Sequence, residues 1–280
     1  KMGDEESDED LLSYMVSSKA NSDSIMSCVF QGRENARAVR DQISEEMWVE
    51  LNALWLSLKM LDGEAEDKHS KMCEQVIQSS MKFRGIINTS LPRTDVWAFV
   101  QLGEYLERAD KTSRIVDLPN FLPKSQEESA WNTMLLACSA TAEHRLRNKG
   151  EVDASTVSTL LLFSTTFPRS VRFSVRRINE LLRMISGAQA GEYLNEAERE
   201  TGLLLSRLNY SGVEEIGERG LHDYVDSLQI DLNRIGHSLM IRYFLLRRDQ
   251  PRGDAEQFFN SQMQQQVERI RQREQEQQQQ

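Results

Sequence analysis

The sequence predicts an all-α, antiparallel multi-helix bundle, and three observations carry that reading. Apolar residues recur at helical spacing nearly everywhere between residues 11 and 248. Strand-type alternation bounded by turn dipeptides is absent. Only five prolines and 14 glycines interrupt 280 residues, which excludes a loop-rich sandwich and a collagen-like or Pro-rich chain. Short connections between long helices favour antiparallel neighbours.

The elements follow in order. Six of the seven residues from Asp4 to Asp10 are acidic, so residues 1–10 read as a solvated, disordered lead-in. Helical periodicity predicts helices at about 9–18, 23–43, 45–62, 66–88, 94–117, 127–146, 153–164, 168–187, 189–208 and 219–247. Asp23 or Ser24, Ser44 and Thr94 offer N-caps, and Pro168 suits a first helical turn. Together, residues 11–248 form one predicted helical domain. The stretch from Asp249 to Asp254 closes it, and residues 249–280 make a Gln-rich tail, helical or disordered, in which only Met263, Val267 and Ile270 suggest a weak seam in the last part.

Composition narrows the function classes. With 44 acidic against 34 basic residues the net charge is -10, without the basic footprint of a nucleic-acid binder. The longest apolar clusters, Leu160 to Phe163 and Met134 to Cys138, fall far short of the roughly 18 residues of a membrane span. Cys28, Cys73 and Cys138 are odd in number and widely spaced, which is neither a disulfide framework nor a zinc site. All three are expected as buried core filler in a reducing, cytoplasmic setting. No signal peptide opens the chain, and Lys1 in place of Met suggests a fragment or a processed form. Trp48, Trp55, Trp97 and Trp131 read as core anchors.

Three segments share one design when read at about 100° per residue. In the first, Ile25, Val29, Gly32, Ala36, Val39 and Ile43 share a face, opposite Arg33, Glu34, Arg37, Arg40 and Asp41. In the second, Leu102, Tyr105, Leu106, Ala109, Ser113 and Val116 form the apolar stripe. Glu107, Asp110 and Arg114 lie on its far side, with Arg108 on the flank. In the third, Val171, Ser174, Val175, Ile178, Leu182 and Ile185 point inward, while Arg169, Arg172, Arg176 and Arg183 gather on one stripe near Asn179 and Glu180. Guanidiniums so arranged repel one another unless a carboxylate or an anionic ligand sits among them. The first and third segments also match weakly at an offset of 146: Ser24, Ile25, Cys28, Val29, Glu34 and Arg37 against Ser170, Val171, Ser174, Val175, Glu180 and Arg183.

The segments Gly32 to Trp48 and Leu102 to Arg114, with Phe167-Pro168-Arg169-Ser170-Val171-Arg172-Phe173, Leu208 to Ile216 and Gly220-Leu221-His222, resemble the bacterial alpha-E domain family. The likeness runs in order from about Leu11 to Phe244. Family members usually open with a further Glu-Arg helix, and nothing before Asp23 resembles it. The resemblance implies an all-α domain that works beside, or fused to, a circularly permuted ATP-grasp protein, often with a transglutaminase-like peptidase nearby. It therefore implies a role in peptide or amide formation, with an ATP-grasp-type protein as the partner.

Three function readings stay open. The first is a binding and docking module, in which Arg33, Arg37, Arg40, Arg108, Arg114, Arg169, Arg172, Arg176 and Arg183 hold a carboxylate or phosphate. Glu34, Glu107, Asp41 and Asp110 orient them. The second is a catalytic subunit of acyl or amide transfer, with Glu34 or Glu107 as general base and arginines stabilising an oxyanion. The third is an ion-pair bundle without a ligand. No phosphate loop or nucleophile elbow is present, and no cofactor is expected. His69, His144, His222 and His237 are scattered. His222 and Asp226 stand one turn apart, but a metal reading needs further ligands that this spacing does not offer, so no metal site is expected. The oligomeric state is left undetermined.

Overall fold

The computed structural model describes residues 8–62, 67–123, 126–189 and 191–245. Most of the acidic lead-in and the whole Gln-rich tail lie outside the described residues. Among these, twelve α-helices and no strand occur, so the all-α reading holds. No described helix is long and apolar enough to cross a membrane. The helices group into two compact units, one ending at Trp97 and one beginning at Ala98. No turn signal marks that division, because a single helix, α5 (Asp95–Asp117), runs across it.

The first unit holds α1 (Asp8–Val16), α2 (Ile25–Ala38), α3 (Glu45–Leu61) and α4 (Lys68–Ser90). Ser24 and Ser44 cap α2 and α3, their hydroxyls accepting from the backbone N–H of Ser27 (3.2 Å) and Met47 (3.3 Å). Helices α2 and α3 run antiparallel: Phe30 meets Trp55 at 5.2 Å, and Arg33 Nε donates to Asn52 Oδ1 at 2.8 Å. Helices α3 and α4 do likewise, with Ser44 Oγ 2.8 Å from Ser90 Oγ at one end and Lys82 reaching the buried Glu50 at 2.5 Å. Val16, Met26, Leu54, Leu58 and Met72 form the core.

Two expectations change here. Helix α2 ends at Ala38, and the chain turns with Gln42 N–H donating to Val39 O at 2.8 Å, so Arg40 and Asp41 leave the helical face. Cys28 is exposed and Cys73 half-buried; only Cys138 is core filler. Two positions past Met26, a helical residue has turned about 200° away from the buried side.

The second unit is organised by four long helices: α5, α9 (Val171–Ser186), α10 (Glu196–Tyr210) and α12 (Leu221–Leu239). Helix α5 lies antiparallel to α9, with Thr112 Oγ1 donating to Arg169 O (2.9 Å) and Tyr105 beside Phe173. It also lies antiparallel to α12: Asp117 meets His222 at one end, and a β-carbon on Gly236 would sit 3.4 Å from Leu106 Cδ2 near the other. Helix α10 packs on both α9 and α12, and Arg207 reaches Asp231 at 2.7 Å. The enclosed core includes Leu102, Ala109, Val116, Val175, Ile178, Leu182, Leu204, Leu208, Val225, Leu228, Leu232 and Ile235.

Shorter helices complete this unit. These are α6 (Glu127–Ala137), α7 (Thr141–Asn148), α8 (Ala154–Ser158) and α11 (Val213–Arg219). The helix expected over 127–146 breaks at Ser139, whose φ of 52° is left-handed. Helix α11, which the periodicity did not reveal, ends at Gly220 (φ 89°), a conformation that glycine adopts readily. The equivalent serines Ser24 and Ser170 both cap helices, and Ser170 Oγ accepts from Phe173 N–H at 3.1 Å.

Candidate functional site

Consecutive residues on a helix point about 100° apart, so Glu107 and Arg108 cannot serve one surface. Arg108 turns toward α9. Its guanidinium pairs with Glu104, donates to Pro168 O at 3.2 Å and lies 5.1 Å from the centre of the Tyr105 ring, with the side chain only 14% exposed. Glu107 turns the other way, 67% exposed and 3.2 Å from Lys111.

On that second side, residues 107, 110, 114 and 117 follow the 3-4-3 spacing of a single helical stripe. Leu106, Glu107, Asp110 and Arg114 of α5 and Leu232, Asn233 and Gly236 of α12 line a cleft of about 330 Å³. Arg114 Nε donates to Asp110 Oδ2 at 2.8 Å, and the guanidinium is otherwise half-exposed. That hydrogen bond outweighs the opposing effect of burial and, with the nearby charges of Asp110, Glu107 and Asp226, raises the Arg114 pKa. Asp110 Oδ1 is buried and accepts no hydrogen bond from a described residue. The cleft thus presents a guanidinium held by Asp110 beside the exposed carboxylate of Glu107.

Below Arg114 the stripe ends at Asp117, whose carboxylate is 7% exposed. Asn120 Nδ2 donates to Asp117 Oδ1 at 2.7 Å, and His222 Nδ1 stands 3.0 Å from both Asp117 oxygens. His222 Nε2 lies 3.6 Å from Asp226 Oδ2. Burial works against the charged imidazolium, but the Asp117 hydrogen bond and the charges of Asp117, Asp226 and Asp223 prevail, so the His222 pKa is raised. The partner that the i,i+4 spacing could not supply is therefore Asp117, which precedes His222 by 105 residues. Asp117 and Asn233 were absent from the sequence-derived site. Extending the stripe from Arg114 by three residues is the signal that finds Asp117.

The remaining candidate arginines are spent mostly on the fold. Arg169 donates to Ala137 O (3.2 Å), and Arg172 donates to Asn209 Oδ1 (3.0 Å) and Phe163 O (3.4 Å). Arg172 also lines a separate cleft with Arg147, Thr156 and Ser164. Arg176 pairs with Glu180 at 3.7 Å over the Phe173 ring. Arg183 is half-buried near the end of α9. In the first unit Arg33 and Arg37 both pair with Glu34, while Arg33 and Arg40 approach the Trp48 ring at 5.4 and 5.2 Å. Asp41 accepts from Gln42 Nε2 at 2.9 Å on the exposed turn. Glu107, Asp110 and Arg114 are thus brought together; Arg108 and Arg172 point elsewhere.

An uncharacterised protein of Mycobacterium bovis is 22% identical over 194 residues, covering 66% of this chain and 22% of the relative. Two further uncharacterised proteins, from two strains of Mycobacterium tuberculosis, match with the same identity and coverage. The chain spans less than a quarter of the length of these curated relatives. No solved structure matches it. The model of a family described as a predicted alpha-helical domain with a conserved ER motif matches residues 1–244, and the chain belongs to that Alpha-E family.

Proposed function

We propose that this chain is a helical binding module of an ATP-grasp-type, amide- or peptide-forming system, and that it holds a carboxylate of the ligase or its substrate through Arg114. One observation carries this reading: the Arg114 guanidinium is fixed by Asp110 inside a concave cleft, with its terminal N–H groups taken up by no described residue. A guanidinium so oriented offers two parallel donors to a carboxylate. The neighbouring, largely exposed Glu107 carboxylate suits an amine on the same ligand or partner. The matched segment occupies only 22% of the mycobacterial relatives, as expected of a module that operates beside others. A general-base role for Glu107 has less behind it, since that side chain is largely exposed and paired with Lys111.

The test is affinity purification of the tagged chain from its native cells with mass spectrometry. The wild-type chain should recover an ATP-grasp-type protein, and Arg114→Ala should lose it at least tenfold (on the order of 1.4 kcal/mol). Undiminished recovery with Arg114→Ala refutes the site. A wild-type eluate without an ATP-grasp-type protein refutes the partner.

A further inference from the structure

We infer that Asp117, His222 and Asp226 form a binding site for a first-row divalent cation, Mn²⁺ or Zn²⁺. One donor atom from each residue lies within 4.8 Å of the other two. Bonds of about 2.0–2.2 Å from a metal to imidazole nitrogen and carboxylate oxygen separate neighbouring ligand atoms by roughly 3–4 Å. The 3.0 Å between His222 Nδ1 and the Asp117 oxygens falls in that range, whereas Asp226 Oδ2 stands 3.6 Å from the other ring nitrogen, Nε2. A cation on the Nδ1 side is bound by Asp117 and that nitrogen, and the half-exposed Asp226 side chain must swing round from the Nε2 edge of the ring to complete the set.

The three ligands sit on two helices that the bundle already fixes. Asp117 is the last residue of α5, and His222 and Asp226 occupy the first two turns of α12. Asn120 holds the buried Asp117 carboxylate from behind, and the Phe121 ring packs edge-on to His222 at 5.7 Å. These are the outer contacts that orient ligands and keep a metal site from collapsing. Two carboxylates and a neutral imidazole carry a net charge near -2 when assembled, with Asp223 adding to the field and Arg114 opposing it. A divalent cation neutralises that charge.

The donor set selects the ion. One nitrogen and two carboxylates, open to solvent on the His222–Asp226 side, lack the four closed ligands of a structural zinc centre. They also fall short of the six to eight oxygens that calcium takes. Imidazole favours Mn²⁺ or Zn²⁺ over Mg²⁺, and the remaining positions stay available to water or a ligand oxygen. This inference does not rest on the carboxylate-binding reading above, since it is measured on the isolated chain.

The experiment is isothermal titration of the full chain, freed of any polyhistidine tag and of bound metal, with MnCl₂ and ZnCl₂, and Mn²⁺ electron paramagnetic resonance as a second readout. The wild-type chain should bind one equivalent of at least one of the two ions. His222→Gln and Asp226→Asn should each weaken binding at least tenfold while keeping the wild-type circular dichroism. Both residues are partly exposed, so the fold tolerates these changes; the buried Asp117 is left intact. Arg114→Ala should bind the ion at least as tightly as wild type, which separates failure here from failure of the carboxylate site. Absence of stoichiometric binding to either ion, or binding unchanged in both variants, overturns the inference.

Discussion

Replacing Arg108 with alanine should destabilise the protein far more than the same change at Arg114, six residues along the same helix. The magnitude follows from the contacts. A charge-assisted hydrogen bond such as that between Arg108 and Glu104 contributes about 1.5–3 kcal/mol net, and the bond to the Pro168 carbonyl about 1 kcal/mol. The guanidinium over Tyr105 adds about 0.5–1 kcal/mol. Freeing an ordered arginine returns roughly 1.5–2 kcal/mol of side-chain entropy. The balance is a loss of about 2–3 kcal/mol for Arg108→Ala. Arg114 holds an exposed i,i+4 pair with Asp110, for which about 0.3–0.5 kcal/mol is expected. At about 2–4 °C per kcal/mol for chains of this order of size, thermal unfolding should fall by about 5–10 °C in the first variant and about 1–2 °C in the second. Differential scanning calorimetry reads both. Equal shifts would refute the division of labour between the two faces of α5, and a double-mutant cycle with Glu104→Gln should return a coupling above about 1 kcal/mol.

Two further predictions concern the second unit. Ser170 Oγ accepts from Phe173 N–H and donates to the Ser164 carbonyl at 2.5 Å in a fully buried position, so Ser170→Ala removes a helix cap and strands an acceptor. The expected loss in urea denaturation is about 2–3 kcal/mol, and a loss below about 0.5 kcal/mol would show that the cap is dispensable. Burial lowers the His144 pKa, with Asp153 partly offsetting it. The unfolded chain therefore takes up a proton more readily than the folded one, and the His144 contribution, present above the ordinary value of 6.5, is lost as pH falls through that value toward the lowered one. His144→Gln should flatten the pH dependence of the unfolding midpoint between about pH 7.5 and 5; an unchanged slope would contradict it.

Most of the helices were legible because each long one buries a stripe at helical spacing. Val171, Val175, Ile178 and Leu182 are all fully buried, as their spacing predicts. Ser24 and Ser44 cap helices as expected, whereas α9 starts at Val171 with Ser170 as its cap, so Pro168 lies before its first turn. The breaks were less legible. Ser139 turns left-handed inside an apolar run, and α11 has too few residues to show a period. The candidate site was half legible. Glu107, Asp110 and Arg114 share a stripe that sequence alone reveals, and that stripe does line a cleft. The α9 arginines misled for a definite reason. Periodicity gives the direction of a side chain but not what waits there, and the Ala137 and Phe163 carbonyls that meet Arg169 and Arg172 are those of the last residues of two other helical segments.

The Glu-Arg pair gains meaning from this geometry. Were Glu107 and Arg108 a functional dyad, they would have to converge, and adjacent positions on a helix forbid it. Arg108 instead ties α5 to the segment just before α9, through Pro168, while Thr112 one turn on ties it to Arg169. Two such ties fix the rotation of α5 about its own axis. A slip by one residue would turn the 107–110–114–117 stripe by about 100°, out of the cleft and away from His222. Arg108 therefore sets the angle at which its neighbours on α5 face α12. If Arg114 holds the proposed carboxylate, a loss of binding in an Arg108 variant reports a rotated or loosened helix, whereas a loss in an Arg114 variant reports the proposed contact itself.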